Sequence, residues 1–188
     1  MIWGVGSMSI SKQSASPYMG SIGRERISQK EFLTTLQYYD LLARSRAVQV
    51  ENSKNQKETE EKAKAEPFSF DQLRALTWQA IVLSREAKHQ GIRVSDDQVR
   101  EEVEKLFSAA GGFNETLYQN WLRTNFRGRA RDFEEAIRKH LAVQKIRQKV
   151  LEGVPETERE SHWLKWLEPI LSQTRIRDYT TQKPESSE

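Results

Sequence analysis

Few residues in this chain have the types and spacing that chemistry requires. The three histidines, His89, His140 and His162, are scattered, with no pair four residues apart and no HExxH pattern, so they do not spell a zinc site. Each reads as a surface or helix-end side chain. There is no cysteine, which excludes disulfides, thiolate nucleophiles and cysteine-held metals, and is compatible with an oxidising compartment. Gly4-Val5-Gly6 lacks the third glycine and the preceding strand of a dinucleotide loop, and neither a phosphate-loop nor a nucleophile-elbow motif occurs. The adjacent carboxylates Glu101-Glu102 and Glu134-Glu135 fall where helix faces should be solvated. Acid–base catalysis needs polar groups converging in a pocket, and no such set is visible. The expectation is therefore no catalytic residue, no metal and no cofactor.

Binding is better represented. Arg123, Arg127, Arg129 and Arg131 flank Trp121 and Phe126, a mixture that can hold nucleic acid through phosphate contacts and stacking. The neighbouring Asp132, Glu134 and Glu135 argue against a dedicated phosphate track, and the same residues also read as a solvated loop with its aromatics in the core. Residues 121–150 hold nine Lys/Arg against three Asp/Glu, a local +6 in a chain of net +3. Trp78, Trp121, Trp163 and Trp166 all fall in apparent helices. In a chain with 36% hydrophobic residues and a mean hydropathy of -0.79, some of that aromatic surface could stay open as a partner site.

The elements that must position these residues are predominantly helical. Residues 69–151 read as three or four short helices with marked starts. Ser69 with Gln72 and Ser95 with Gln98 have the spacing of reciprocal capping boxes, as do Ser28 and Glu31. Gly91 ends one helix, since glycine takes the left-handed terminating conformation without a Cβ penalty. The first helix carries Phe32, Leu36, Tyr39, Ala43 and Ala47 on one stripe. The next has Leu73, Leu76, Ala80, Leu83 and Ala87 on a seam, with Trp78, Ile81 and Val82 beside it, so it should touch neighbours on two sides. The Ser95 helix carries Val99, Val103, Leu106 and Phe107; Asn114 caps a short helix with Leu117, Tyr118, Trp121 and Leu122. After a break at Gly128, residues 131–151 are apolar over a wide arc and should lie centrally. Residues 156–173 form a last helix that Pro169 should kink or split.

Residues 18–27 resemble a small hairpin with Gly23-Arg24 near its turn, and residues 174–179 alternate at period two. Two strands alone are marginal in water, so the two ends of the chain should pair around the helices. Residues 1–17 read as a flexible lead-in, 51–66 as a solvated charged excursion and 180–188 as a disordered tail.

The order of these pieces resembles the SurA-type chaperone domain, the family shared by SurA, PpiD and PrsA. The resemblance rests on Gly20-Ser21-Ile22-Gly23-Arg24-Glu25-Arg26-Ile27-Ser28-Gln29-Lys30-Glu31-Phe32, and on the helix ending in Glu86-Ala87 followed by Gly91-Ile92-Arg93-Val94-Ser95-Asp96-Asp97-Gln98-Val99. Gly112-Phe113-Asn114 with Tyr118 and Leu122 continues it, then Asp132-Phe133-Glu134 with Arg138, Leu141 and Lys145-Ile146. It covers about residues 18–151. What it implies is a mainly α fold over residues 18–179, a SurA-like helical bundle with a small antiparallel sheet joining the N-terminal hairpin to the C-terminal strand. It implies an extracytoplasmic, periplasmic module that holds unfolded client polypeptides. In the PpiD-like branch an inner-membrane helix precedes the module, and Trp3-Gly4-Val5-Gly6-Ser7 looks like the stretch just after such an anchor. The family commonly inserts a parvulin-type prolyl isomerase domain after the position of Leu151. Here only Glu152-Gly153-Val154-Pro155 intervenes, so the chain departs from the pattern and no isomerase activity is expected.

Phe107, Phe113, Trp121, Phe126, Trp163 and Trp166 are the candidates to line a client groove, with the basic residues Arg123, Arg127, Arg129 and Arg131 drawing acidic clients or anionic lipid. The alternatives are a nucleic-acid binder using that basic stretch, and a fixed scaffold subunit of an envelope complex. Oligomeric state has no signature in the sequence.

Overall fold

The computed structural model describes residues 16–54, 68–109 and 112–179. All but the last two residues of the expected lead-in, most of the charged excursion, the tail and the stretch around Trp3 lie outside the described residues. In chain order the elements are β1 (Tyr18–Ile22), β2 (Glu25–Ser28), α1 (Gln29–Lys54), α2 (Phe70–His89), α3 (Asp96–Phe107), β3 (Ser108–Ala109), β4 (Gly112–Phe113), α4 (Glu115–Trp121), α5 (Ala130–Val150), α6 (Arg159–Gln173) and β5 (Ile176–Asp178). A π-helical turn (Leu122–Phe126) follows α4, and a 3-10 turn (Glu156–Glu158) precedes α6.

The fold is mainly α, and the two ends of the bundle meet in one sheet of order β2-β1-β5, antiparallel throughout. Gly23, at a left-handed φ of 58°, makes the β1–β2 turn. Gly20 lets the sheet close on the helices. A Cβ there would sit 2.2 Å from the Arg177 carbonyl oxygen and 2.7 Å from the Trp78 ring, so only glycine fits between β5 and α2. Beneath the sheet, Ile27, Phe32, Trp78 and Ile81 form one core cluster.

Helix starts and stops follow local chemistry. Ser69 and Ser95 accept from the Gln72 and Gln98 backbone N–H at 3.2 and 3.3 Å, and each glutamine side chain accepts in return from its serine N–H, at 2.8 and 3.1 Å. Past α2, Gly91 has a φ of 74°. The Ile92 N–H reaches back to the Ala87 carbonyl and the Gly91 N–H to Lys88, which closes the helix end with its orphan carbonyls satisfied. At α1 only half of the expected box forms. Ser28 Oγ caps the Glu31 N–H at 3.1 Å, while the Glu31 carboxylate is drawn to Arg85 and Lys139 at 3.3 and 3.1 Å. Full charges on α2 and α5 outbid one backbone donor.

The α1 stripe is rotated from expectation. Phe32, Thr35 and Tyr38 are buried, whereas Leu36, Tyr39 and Ala43 are only partly so. Ala47 falls outside the described side chains. Thr35 can be buried because its hydroxyl donates to the Glu31 carbonyl at 2.8 Å. Helix α2 is central: Trp78, Ile81 and Val82 are buried as well as Leu83 and Ala87. α5 packs along it through Ala142 and Ile146, joined by Trp163 and Leu167 of α6. Pro169 does not split α6, which runs unbroken past it. The proline is on an exposed face, where solvent can satisfy the carbonyl that loses its helical donor.

Candidate functional site

A second core cluster, formed by α1, α3, α4, α5 and the π-helical turn, is built around Phe133. Its ring packs within 5.1–6.2 Å of Tyr38, Phe107, Tyr118, Trp121 and Phe126. The π-helical turn supplies the last of these. It closes with the Arg127 N–H donating to Leu122 at 2.7 Å, places Arg127 at a left-handed φ of 54°, and carries Phe126 inward to 1% exposure. Such insertions re-aim side chains within a helix.

Above this core, α3, β4, α4 and α5 enclose a cleft of about 350 Å³. Its floor is apolar: Val99 and Val103 of α3, Tyr118 of α4 and Phe113 of β4. Phe113 is the open member at 39% exposure, held up by the two-residue pairing of β3 and β4. The rim is charged, with Asp96, Glu104, Glu115 and Glu134 against Arg100 and Arg138. Arg138 fastens α5 to the start of α3, donating to the Val94 carbonyl and to Asp96, both at 2.7 Å. The Tyr118 hydroxyl donates to Glu134 at 3.3 Å, tying α4 to α5. Burial, reinforced by the Glu134 charge, pushes the ionisation of Tyr118 far above its usual range, so it stays a neutral donor.

A larger, shallower hollow of about 760 Å³ lies at the end of α5, bordered by Lys145, Arg147, Lys149 and Arg159. Its cations are engaged. Lys145 donates to the Arg93 carbonyl and Gln98, Arg147 pairs with Glu160, and Arg159 pairs with Glu156. Leu151 is the one apolar side chain in its lining, so the apolar surface there comes mainly from the stems of charged and polar residues.

Of the aromatic candidates, Phe113 alone lines the cleft. Phe107, Phe126 and Trp163 are core residues, at 6%, 1% and 6% exposure, and are unavailable to a client in this conformation. Trp121 is half-buried, edge-on to Phe107 at 5.0 Å, and Trp166 is half-buried, stacked on Trp163 at 5.0 Å. A rim-to-core gradient of this kind is invisible in residue type, because a packed ring and an exposed one have the same composition. Arg123, Arg127, Arg129 and Arg131 are all exposed, and none lines the cleft. With Phe126 buried beneath them, the stacking surface required for the nucleic-acid alternative is reduced to the half-buried Trp121.

Val99, Val103, Tyr118, Glu134 and Arg138 are the site residues that sequence reasoning passed over as floor or rim. The signal available was the α3 stripe at i and i+4, and the short distance in sequence from Tyr118 to Glu134. Glu134 is correspondingly not on a solvated face. His140 also departs from expectation: it sits among Tyr38 and Tyr39, 5.4 and 5.8 Å between ring centres, with Gln144 on its Nε2 at 2.8 Å. His89 and His162 are exposed. Among the described residues, no group of histidines and carboxylates is disposed to hold a metal ion, and no helix is long and apolar enough to cross a membrane.

The family model for the SurA-like N-terminal domain matches residues 1–147. No curated protein and no solved structure matches the chain. The match ends inside α5, so α6 and β5 lie beyond it even though β5 is hydrogen-bonded to β1. With most of its length matched, and with the hairpin, capped helices and closing strand found together in one mainly α fold, the chain belongs to the SurA-like N-terminal domain family.

Proposed function

We propose that residues 18–179 act as one non-enzymatic, chaperone-like domain of the bacterial cell envelope, outside the cytoplasm, and that it holds extended or unfolded polypeptide segments in the cleft between α3, α4 and α5. The observation that carries this is the apolar floor of Val99, Val103, Phe113 and Tyr118 inside a charged rim. A cleft of about 350 Å³ is at the small end of ligand sites. It suits one or two apolar side chains of a client at a time, each worth roughly 1.5–3 kcal/mol when buried. Set against the cost of association and chain ordering, contacts of that size hold a client weakly and let it go. Family membership supports the same role.

The test is suppression of aggregation of a chemically unfolded protein by the intact chain, comparing Phe113→Ser with Leu33→Ser. Leu33 is somewhat more open, at 46% exposure, but lies on α1 and not in the cleft. Loss of protection with Phe113→Ser and retention with Leu33→Ser is expected. Equal protection by both variants, or none by the unaltered chain, would overturn the proposal.

A further inference from the structure

The cleft has a charge sign opposite to that of the chain. Although the protein carries a net +3 and residues 121–150 are strongly basic, the residues lining the cleft include four carboxylates and two guanidinium groups. Pairing sharpens the imbalance. Arg138 is spent on Asp96 at 2.7 Å and on the Val94 carbonyl, and Arg100 faces Asp97 at 3.1 Å, a carboxylate outside the cleft lining. Glu104, Glu115 and Glu134 remain on the rim with no cationic partner among the described residues. Glu134 accepts only from the neutral Tyr118 hydroxyl, and Glu115 from the Gln119 amide. They come from three elements, α3, α4 and α5, so they surround the apolar floor rather than lying along one helix.

From this complementarity we propose that the cleft selects extended polypeptide segments in which an apolar residue is flanked by Lys or Arg. This rests on the polypeptide-holding role above and names its client class. The apolar side chain enters over Val103 and Phe113, and the flanking cations meet the carboxylates of the rim. Acidic segments are repelled, the reverse of what the exposed arginines near α5 suggest from sequence. Charges about 6 Å apart in a solvated rim interact by less than 1 kcal/mol each in water and are screened over about 8 Å at physiological salt. The expected preference is therefore roughly tenfold at low ionic strength, shrinking with added salt.

The experiment is fluorescence anisotropy of the full chain with three labelled peptides that share a Leu-Phe-Leu centre and carry Lys, Ser or Glu on both sides. The Lys-flanked peptide should bind about tenfold tighter than the Glu-flanked one. The double variant Glu104→Lys, Glu115→Lys changes two exposed positions and should invert the order. Equal binding of the three peptides, tighter binding of the Glu-flanked one, or an unchanged order in the double variant overturns the charge selection alone. Absence of binding by all three overturns the holding role as well. Self-association that is abolished by Phe113→Ser and blocks peptide entry assigns the cleft to a second copy, and overturns both.

Discussion

The indole N–H of Trp78 donates to the Asp178 carboxylate at 2.8 Å, a charge-assisted hydrogen bond that fastens the central helix α2 to the last strand. Arg74 stands 3.7 Å from the same carboxylate. Asp178→Ala leaves a buried indole donor without this acceptor and should cost about 1–3 kcal/mol. Asp178→Asn retains an acceptor oxygen and should cost less. Urea denaturation of the two variants checks the order.

The same corner makes Gly20 irreplaceable. Gly20→Ala drives a methyl group into the Arg177 carbonyl and the Trp78 ring, both backbone and packed core, so neither can swing aside. Overpacking of this kind costs about 1–3 kcal/mol, and more where a strand pair must separate. A lower denaturation midpoint, together with faster hydrogen exchange at the amides that pair β1 with β5, is the expected result.

Acid should weaken the junction of hairpin and helices. A hydrogen bond from Arg85 is the main cause holding Glu25 below its ordinary value of 4.5. For Glu31, burial acts to raise the value, but the charges of Lys139 and Arg85 outweigh it and the net shift is also downward. Depressed native values mean that the stabilisation is complete above about pH 4.5, the unfolded value, and is lost as pH falls through the native values. Arg85→Gln should lower stability at neutral pH by about 1–3 kcal/mol and flatten the acid limb of a stability–pH curve. An unchanged acid limb in the variant would refute the role given to Arg85.

Phe133 is the hub of the ring cluster and is 1% exposed. Phe133→Ala should cost about 3–5 kcal/mol, and Phe133→Leu distinctly less. Because the hub supports Tyr118 and Phe107 directly under the cleft, Phe133→Leu should also weaken peptide binding while the chain remains folded. Near-ultraviolet circular dichroism and anisotropy measured on the same sample separate the two effects.

How much of this was legible in sequence varies by element. The three serine caps, the Gly91 stop, the Asn114 start and the hairpin at Gly23 could each be read locally, because each depends on residues within a few positions of one another. The pairing of residues 174–179 with the hairpin was also foreseen, since an isolated two-stranded ribbon lacks enough buried surface to persist. Glu31 is the instructive exception. Its local rule predicted a return to Ser28, and partners on α2 and α5, remote in sequence, took its carboxylate instead.

What the sequence alone determined is therefore the run of six helices, the hairpin with its closing strand, the mainly α class and the resemblance that family membership upholds, because caps, turns and apolar periodicity act over a single turn or strand; the β3–β4 pair and the π-helical turn were not legible in it. What only the tertiary structure decided is which aromatic is core and which is open, how the π-helical turn buries Phe126, and that an acidic-rimmed cleft exists on a basic chain. Those depend on the packing of α3, α4 and α5 about Phe133, and burial and local field are properties of neighbours brought together in space rather than of position along the chain.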